Sequence, residues 1–201
     1  MFMGKKLPAK PLQNSEASRG RILAAALAEF SAYGLAGARV ERIAKTAQCN
    51  KNLIYIYFEN KETLFTTVLE KHLARIYKDV AFSADDLPGY ASRVFDFAMA
   101  NPDLMRLMTW FALEQRTISP AIHAETHSSK LTELADAQKA GKFGTAFSPA
   151  FLLNAIKALA TSWAAANPFG LDLEDASDPG TVRSDILEAV RLLATAKARK
   201  R

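Results

Sequence analysis

The chain has 201 residues, 49% of them hydrophobic and 23% charged, with 26 Lys and Arg against 21 Asp and Glu and a net charge of +5. That apolar share is ample for a buried core, and the single Cys49 excludes an internal disulfide, which makes the reducing cytoplasm the simpler location. The charge is unevenly divided: residues 1–61 hold ten basic against four acidic side chains, or +6, and the remainder carries −1.

Met1 to about Ser15 is expected to be a basic arm, with Lys5, Lys6 and Lys10 but no continuous apolar segment, so neither a signal peptide nor a membrane span is expected. A first helix is predicted from about Ser18 to Tyr33, where Ile22, Leu23, Ala26, Leu27 and Phe30 form a wide apolar stripe, and Gly34 is placed to end it in a left-handed conformation. Arg19 and Arg21 at its start suit phosphate contacts and ordinary surface positions equally. Leu35–Ala38 is a short loop. Val40, Ile43, Ala44 and Ala47 then put a narrow apolar stripe on a two-turn helix, broken at Gln48-Cys49. Asn50 is placed to cap the next helix, with Ile54 and Phe58 on its buried side and Lys51, Asn52, Leu53 and Ile56 outward. A short helix, a tight turn and a second helix with a displayed face is the layout of a helix-turn-helix, whose second member fits the major groove of DNA.

Asn60-Lys61-Glu62-Thr63 opens a fourth helix through Ile76, whose eighteen or so residues would span about 27 Å, enough for a rigid lever between two domains. Ser83–Gly89 is expected to be a loop. Helices are predicted over Tyr90–Ala100, Asp103–Arg116, Ser119–Ala140, Ser148–Ala166 and Thr181–Ala198, the last with a basic end, separated by Asn101-Pro102, a turn at Gly141–Gly144, Asn167-Pro168 and a polar loop over Leu171–Gly180. The chain is therefore expected to be all-α, with about nine helices. Its expected divisions are an arm over 1–17, a three-helix helix-turn-helix DNA-binding domain over 18–64, and a helical ligand-binding and dimerisation domain over 65–201.

The segment Arg19–Leu69 resembles the DNA-binding domain of the TetR family of bacterial transcriptional regulators. The resemblance is carried by Ile22, Ala26, Phe30 and Gly34, by Val40…Ile43-Ala44, by Ile54-Tyr55-x-Tyr57-Phe58, and by Lys61-Glu62 with Leu64. It implies base contacts from Lys51, Asn52, Leu53 and Ile56. Lys51 would donate to guanine, Asn52 would pair with adenine, and Leu53 or Ile56 would pack on a thymine methyl. It implies phosphate contacts from Tyr55, Tyr57 and Lys61, which set register rather than sequence. Two departures stand out. Ala38-Arg39 replaces the family's hydroxyl cap, leaving Arg39 as a charged phosphate contact, and Gln48 replaces the usual turn glycine at a strain cost of roughly 1 kcal/mol if φ is positive there.

For the second domain, Phe151, Leu152, Ala155, Ile156, Leu159 and Trp163 make one apolar stripe, and Ile186, Val190 and Leu193 another. They suit either the interior of one subunit or an intermolecular four-helix bundle. The resemblance favours a homodimer that reads a palindromic operator with half-sites about 34 to 36 Å apart. Phe95, Met99, Met105, Met108, Trp110 and Phe111 crowd two adjacent helices, as core or, following the resemblance, as the pocket of a small apolar effector that shifts the population away from the DNA-fitting form. His123 and His127 lie four apart with Glu125 nearby, a spacing able to hold zinc, but no third ligand is evident. There is no phosphate-binding glycine loop, no nucleophile elbow and no acid pair set in a recognisable motif. The expected function is a sequence-specific, ligand-responsive repressor that binds double-stranded DNA, needs no cofactor or metal, and is not an enzyme. The alternatives are a regulator without small-molecule response and a helical metal-dependent enzyme using His123 and His127.

Overall fold

The structure, a computed structural model, describes residues 12–114, 121–164 and 178–197. Among these residues there are nine α-helices and no strand: α1 (Leu12–Gly37), α2 (Val40–Thr46), α3 (Lys51–Phe58), α4 (Lys61–Asp79), α5 (Leu87–Ala100), α6 (Pro102–Leu113), α7 (Ala121–Lys139), α8 (Pro149–Thr161) and α9 (Pro179–Thr195). None of these helices is long and apolar enough to cross a membrane. The chain divides into two compact units, Met1–Leu69 and Glu70–Arg201.

In the first unit the apolar stripes of α1, α2 and α3 meet. Ile22, Ala26, Phe30, Ile43, Ile54 and Phe58 are buried, and Phe30 packs edge-on against Phe65 with ring centroids 5.1 Å apart. α1 breaks at Gly34, as expected, but resumes beyond it through Gly37. Gly34 has φ 64° and ψ −178°, a region open essentially to glycine alone, and there the helix kinks, so that Leu35 turns inward before α2 begins. Asn60 starts α4, its Oδ1 accepting from the Thr63 N–H at 2.8 Å.

In the second unit α5 packs against α8 and α9. The core there contains Ala91, Phe95, Leu134, Leu152, Ile156, Val182, Ile186 and Val190. α5 starts one turn earlier than the sequence suggests, because Asp86 accepts from the Gly89 N–H at 2.9 Å and Pro88 is tolerated in a first helical turn. α8 ends at Thr161 rather than near Ala166; the Ser162 hydroxyl donates to the Leu159 carbonyl at 2.7 Å and competes with the helix ladder. α9 ends at Thr195, before the basic tail, where Ala196 turns extended and its carbonyl accepts from the Ala146 N–H at 3.1 Å. Beside it the Gly144 N–H donates to Ala194, and a Cβ on Gly144 would lie 1.9 Å from the Ala196 oxygen, so only glycine permits the approach. The arm over residues 1–11, Gln115 and Arg116 of the expected sixth helix, and the loop from Leu171 to Ser177 lie outside the described residues, as do the His123 side chain and the basic end beyond Lys197.

Candidate nucleic-acid interface

The first unit builds its displayed face from short-range chemistry. Asn50 caps α3, its Oδ1 accepting from the Asn52 N–H at 2.8 Å. The turn before it is closed by two hydrogen bonds, Cys49 N–H to Ala44 O at 3.0 Å and Gln48 N–H to Lys45 O at 3.2 Å, the paired pattern of a Schellman motif. That motif needs a left-handed residue after the helix, and Gln48 supplies it with φ 52°. The same motif ends α7, where Gly141 (φ 74°) takes the position without strain. Cys49 is half-buried.

The start of α2 has no cap from its own neighbours; Glu29, a buried carboxylate of α1, takes over. Its Oε1 accepts from the Arg39 N–H at 2.8 Å and from Arg42 Nε at 2.7 Å, while Arg42 also stacks 4.2 Å above the Tyr33 ring and donates to the Gly37 carbonyl. An acid at a helix N-terminus is favourable electrostatically as well as by hydrogen bonding. Sequence reasoning missed Glu29, whose partners lie ten and thirteen residues ahead.

The eight residues expected to face DNA fall into three groups. Asn52, Ile56, Tyr55 and Arg39 are exposed; Ile56 is 75% exposed, a large aliphatic side chain on a surface with no interior neighbour to explain it. Lys51 and Leu53 on the same face are half-buried, and Lys51 pairs with Glu41 of α2. That hydrogen bond raises the Lys51 pKa and lowers that of Glu41, so both remain charged. Tyr57 and Lys61 are tied into the fold. The Tyr57 hydroxyl lies 3.0 Å from Ser15 Oγ, and Lys61 Nζ donates to the Ala38 carbonyl at 3.1 Å. Of the two arginines at the start of α1, Arg21 donates to the Ala47 carbonyl and Arg19 lies over the Phe58 ring.

The second unit holds a cavity of about 630 Å³. Of the six residues expected to line it, Met105 and Met108 do. Phe95 is instead buried in the core, Met99 packs against that core, and Trp110 and Phe111 are half-buried without facing the cavity. From α5 it is Tyr90, Val94 and Phe97 that line the cavity, while Phe95 joins the core that α5 shares with α8 and α9. The wall that sequence reasoning did not foresee contains Tyr77, Tyr90, His127, Lys130 and Lys157. Among the described residues no three metal-ligating side chains converge, His127 included.

The stripes assigned to a dimer interface need correction. Leu152, Ile156, Ile186 and Val190 are buried in the subunit's own core, covered by α5, and Leu159, Trp163 and Leu193 pack against the same core. What remains outward is Phe151, 52% exposed, with Ala155 half-buried beside it, and Leu192 of α9, 62% exposed and not anticipated. Phe147 stacks on Phe151 at 4.9 Å.

Comparison with known proteins follows the same division. A family model described as bacterial regulatory proteins, tetR family, matches residues 22–68, and one described as tetracyclin repressor-like, C-terminal domain, matches residues 86–191. The chain is 37% identical over 185 residues to the HTH-type transcriptional repressor SCO4008 of Streptomyces coelicolor, a match covering 89% of this chain and 96% of the relative. It is 32% identical over 111 residues to the HTH-type transcriptional repressor NicS of Pseudomonas putida, about half of each chain. Among solved structures it is similar to the transcriptional regulator SCO4942 from Streptomyces coelicolor, with a TM-score of 0.79, 38% identity, and 88% of this chain and 97% of the other covered.

Proposed function

The chain belongs to the TetR family of bacterial transcriptional regulators and is a DNA-binding regulator, and on that footing we propose that it is a cytoplasmic, effector-responsive repressor that binds a palindromic operator as a homodimer. The observation that carries the proposal is the displayed face of α3, where Asn52 and Ile56 stand exposed on a helix anchored from behind by Ile54 and Phe58. A short helix of this kind reaches few bases, so a second copy about one helical turn along the duplex supplies the rest of the specificity. Arg39 and Tyr55 flank the face and take phosphates. Lys51 reaches a guanine edge by exchanging its carboxylate partner Glu41 for the base, while Leu53 packs beside it. Tyr57 and Lys61 act mainly by holding α1 to α3 and α4 to the α1–α2 junction, with any phosphate contact made from those fixed positions.

The dimer face is assigned to the outward sides of α8 and α9 around Phe151, Ala155 and Leu192, and the effector to the cavity of the second unit. Repression is supported by the two relatives that carry that description. Among the described residues no group of side chains calls for a catalytic reading. The test is binding of the purified protein to duplex DNA from upstream of its own and neighbouring genes across a salt series. A specific complex whose log affinity falls linearly and steeply with log salt is expected, and equal affinity for unrelated duplexes at every salt concentration would contradict the proposal.

A further inference from the structure

The cavity of the second unit is not a purely apolar chamber. Lys157 is the single charged residue between Lys142 and Asp172, on a helix otherwise built of apolar and small residues, and it lies at the cavity wall, half-buried. Lys130 of α7 lies on the same wall. Neither ammonium forms an ion pair among the described residues. Glu133, the acid that favours the charged form of Lys130, has its Oε1 committed to the Ala84 N–H at 2.8 Å. Burial pushes both lysine pKa values down, and the Lys157 charge pushes Lys130 further. Burial, then the two lysine charges, lower His127 in turn, so its imidazole is neutral at pH 7. Like charges held together against Met105, Met108 and Phe97 stand in need of an anion. A cation finds no vacancy, because Lys130 Nζ already occupies the aromatic surface, 4.8 Å from the centroid of Tyr90, 5.4 Å from Phe82 and 5.6 Å from Tyr77.

We propose that this cavity takes a small organic carboxylate with an apolar body, its carboxylate held between Lys130 and Lys157 and its body against Met105, Met108 and Phe97. The Tyr90 hydroxyl, which accepts from Lys130 Nζ at 3.1 Å, has its own proton left to donate to the same carboxylate. This rests on the effector reading above and changes the chemistry of the effector from apolar to amphipathic and anionic. An exposed ion pair is nearly worthless, whereas one formed at a half-desolvated wall is worth a measurable preference.

The test is calorimetric titration of the full chain at neutral pH with phenylbutyrate and with decanoate, each beside the alcohol and the amine of the same carbon skeleton. At least one carboxylate is expected to bind about tenfold or more tightly than its alcohol, and the amine most weakly. Lys157→Met and Lys130→Met should each cost the carboxylate about tenfold and leave the alcohol within about twofold, which separates a lost charge from a damaged fold. An alcohol or amine that binds as tightly as its carboxylate, failure of both carboxylates to bind, or an unchanged carboxylate affinity in Lys157→Met would overturn the proposal. Its failure is separate from failure of the effector reading. A carboxylate bound with this preference that leaves operator affinity untouched keeps the site and removes its regulatory role.

Discussion

Glu29 sits where a helix start would otherwise be unsatisfied: one carboxylate oxygen, 9% exposed at the residue level, serves the Arg39 amide and the Arg42 guanidinium together. Removing it takes the acceptor from a part-buried amide and from the Arg42 guanidinium and loosens the entry to α2, so Glu29→Ala should cost about 2 kcal/mol. Native-state hydrogen exchange at the amides of α1 and α2 would measure this, and unchanged protection would contradict it. Arg39 has the opposite character. Its side chain is exposed, so Arg39→Ala should leave stability alone, weaken binding about equally for all duplexes, and reduce the salt slope by about 1 in a binding titration. Tyr57 and Lys61 are poor probes of the same question, because each also makes a hydrogen bond within the fold. At this scale the sequence was readable where partners are near. The Asn50 cap follows from spacing within a few residues, and the special position of Gln48 follows from the family resemblance, in which a turn glycine is usual there. The role of Glu29 does not, since it depends on how α1 lies against α2.

Among the helices, periodicity shows which side is apolar but not what covers it. The widest stripes of α8 and α9 look like surface awaiting a partner subunit, yet α5, an equally apolar helix, lies over them. The face left outward is the poorer one, marked by Phe151 and Leu192 among small and polar residues. Phe151→Glu combined with Leu192→Glu should therefore shift the protein from dimer to monomer in sedimentation while leaving its helical circular dichroism unchanged. A dimer of unaltered strength would remove this face from the interface. The contact of α5 with α7 is testable by alkaline titration. Burial first, then Tyr77, pushes the Tyr90 phenol up to about 12, against a lesser pull from Arg93. Lys130, itself pushed down, has lost its proton before that phenol ionises and no longer helps the phenolate. A raised phenol pKa means that the associated stability is present below pH 10 and is lost as pH rises through about 12. Lys157 has the reverse sign: its lowered pKa disfavours the folded form at low pH, and that penalty fades as pH rises toward 10.5. Phenolate absorbance should show a late-ionising tyrosine that disappears in Tyr90→Phe, and an unchanged titration curve would contradict the burial.

For the molecule as a whole, the division of charge anticipates the division of labour. The +6 segment is the one that displays α3, and the remainder, near neutral, holds the cavity and the outward faces of α8 and α9. The helical class and the helix-turn-helix were legible because apolar spacing, caps and turn residues repeat the same message over some fifty positions. The cavity was legible only in part. Methionines and aromatics crowd core and pocket alike, and the more telling signal was Lys157, one charge in a long uncharged stretch. The central claim is that the exposed side chains of α3 read bases in each half of a two-fold site. Selection of bound fragments from random duplex DNA, run in parallel for the wild-type chain and for Asn52→Ala, tests it most directly. The account predicts a palindrome with half-site centres about 34 to 36 Å apart for the wild type, and relaxed preference at one base pair in each half-site for the variant. Identical motifs from both proteins, or no enriched motif from the wild type, would contradict it.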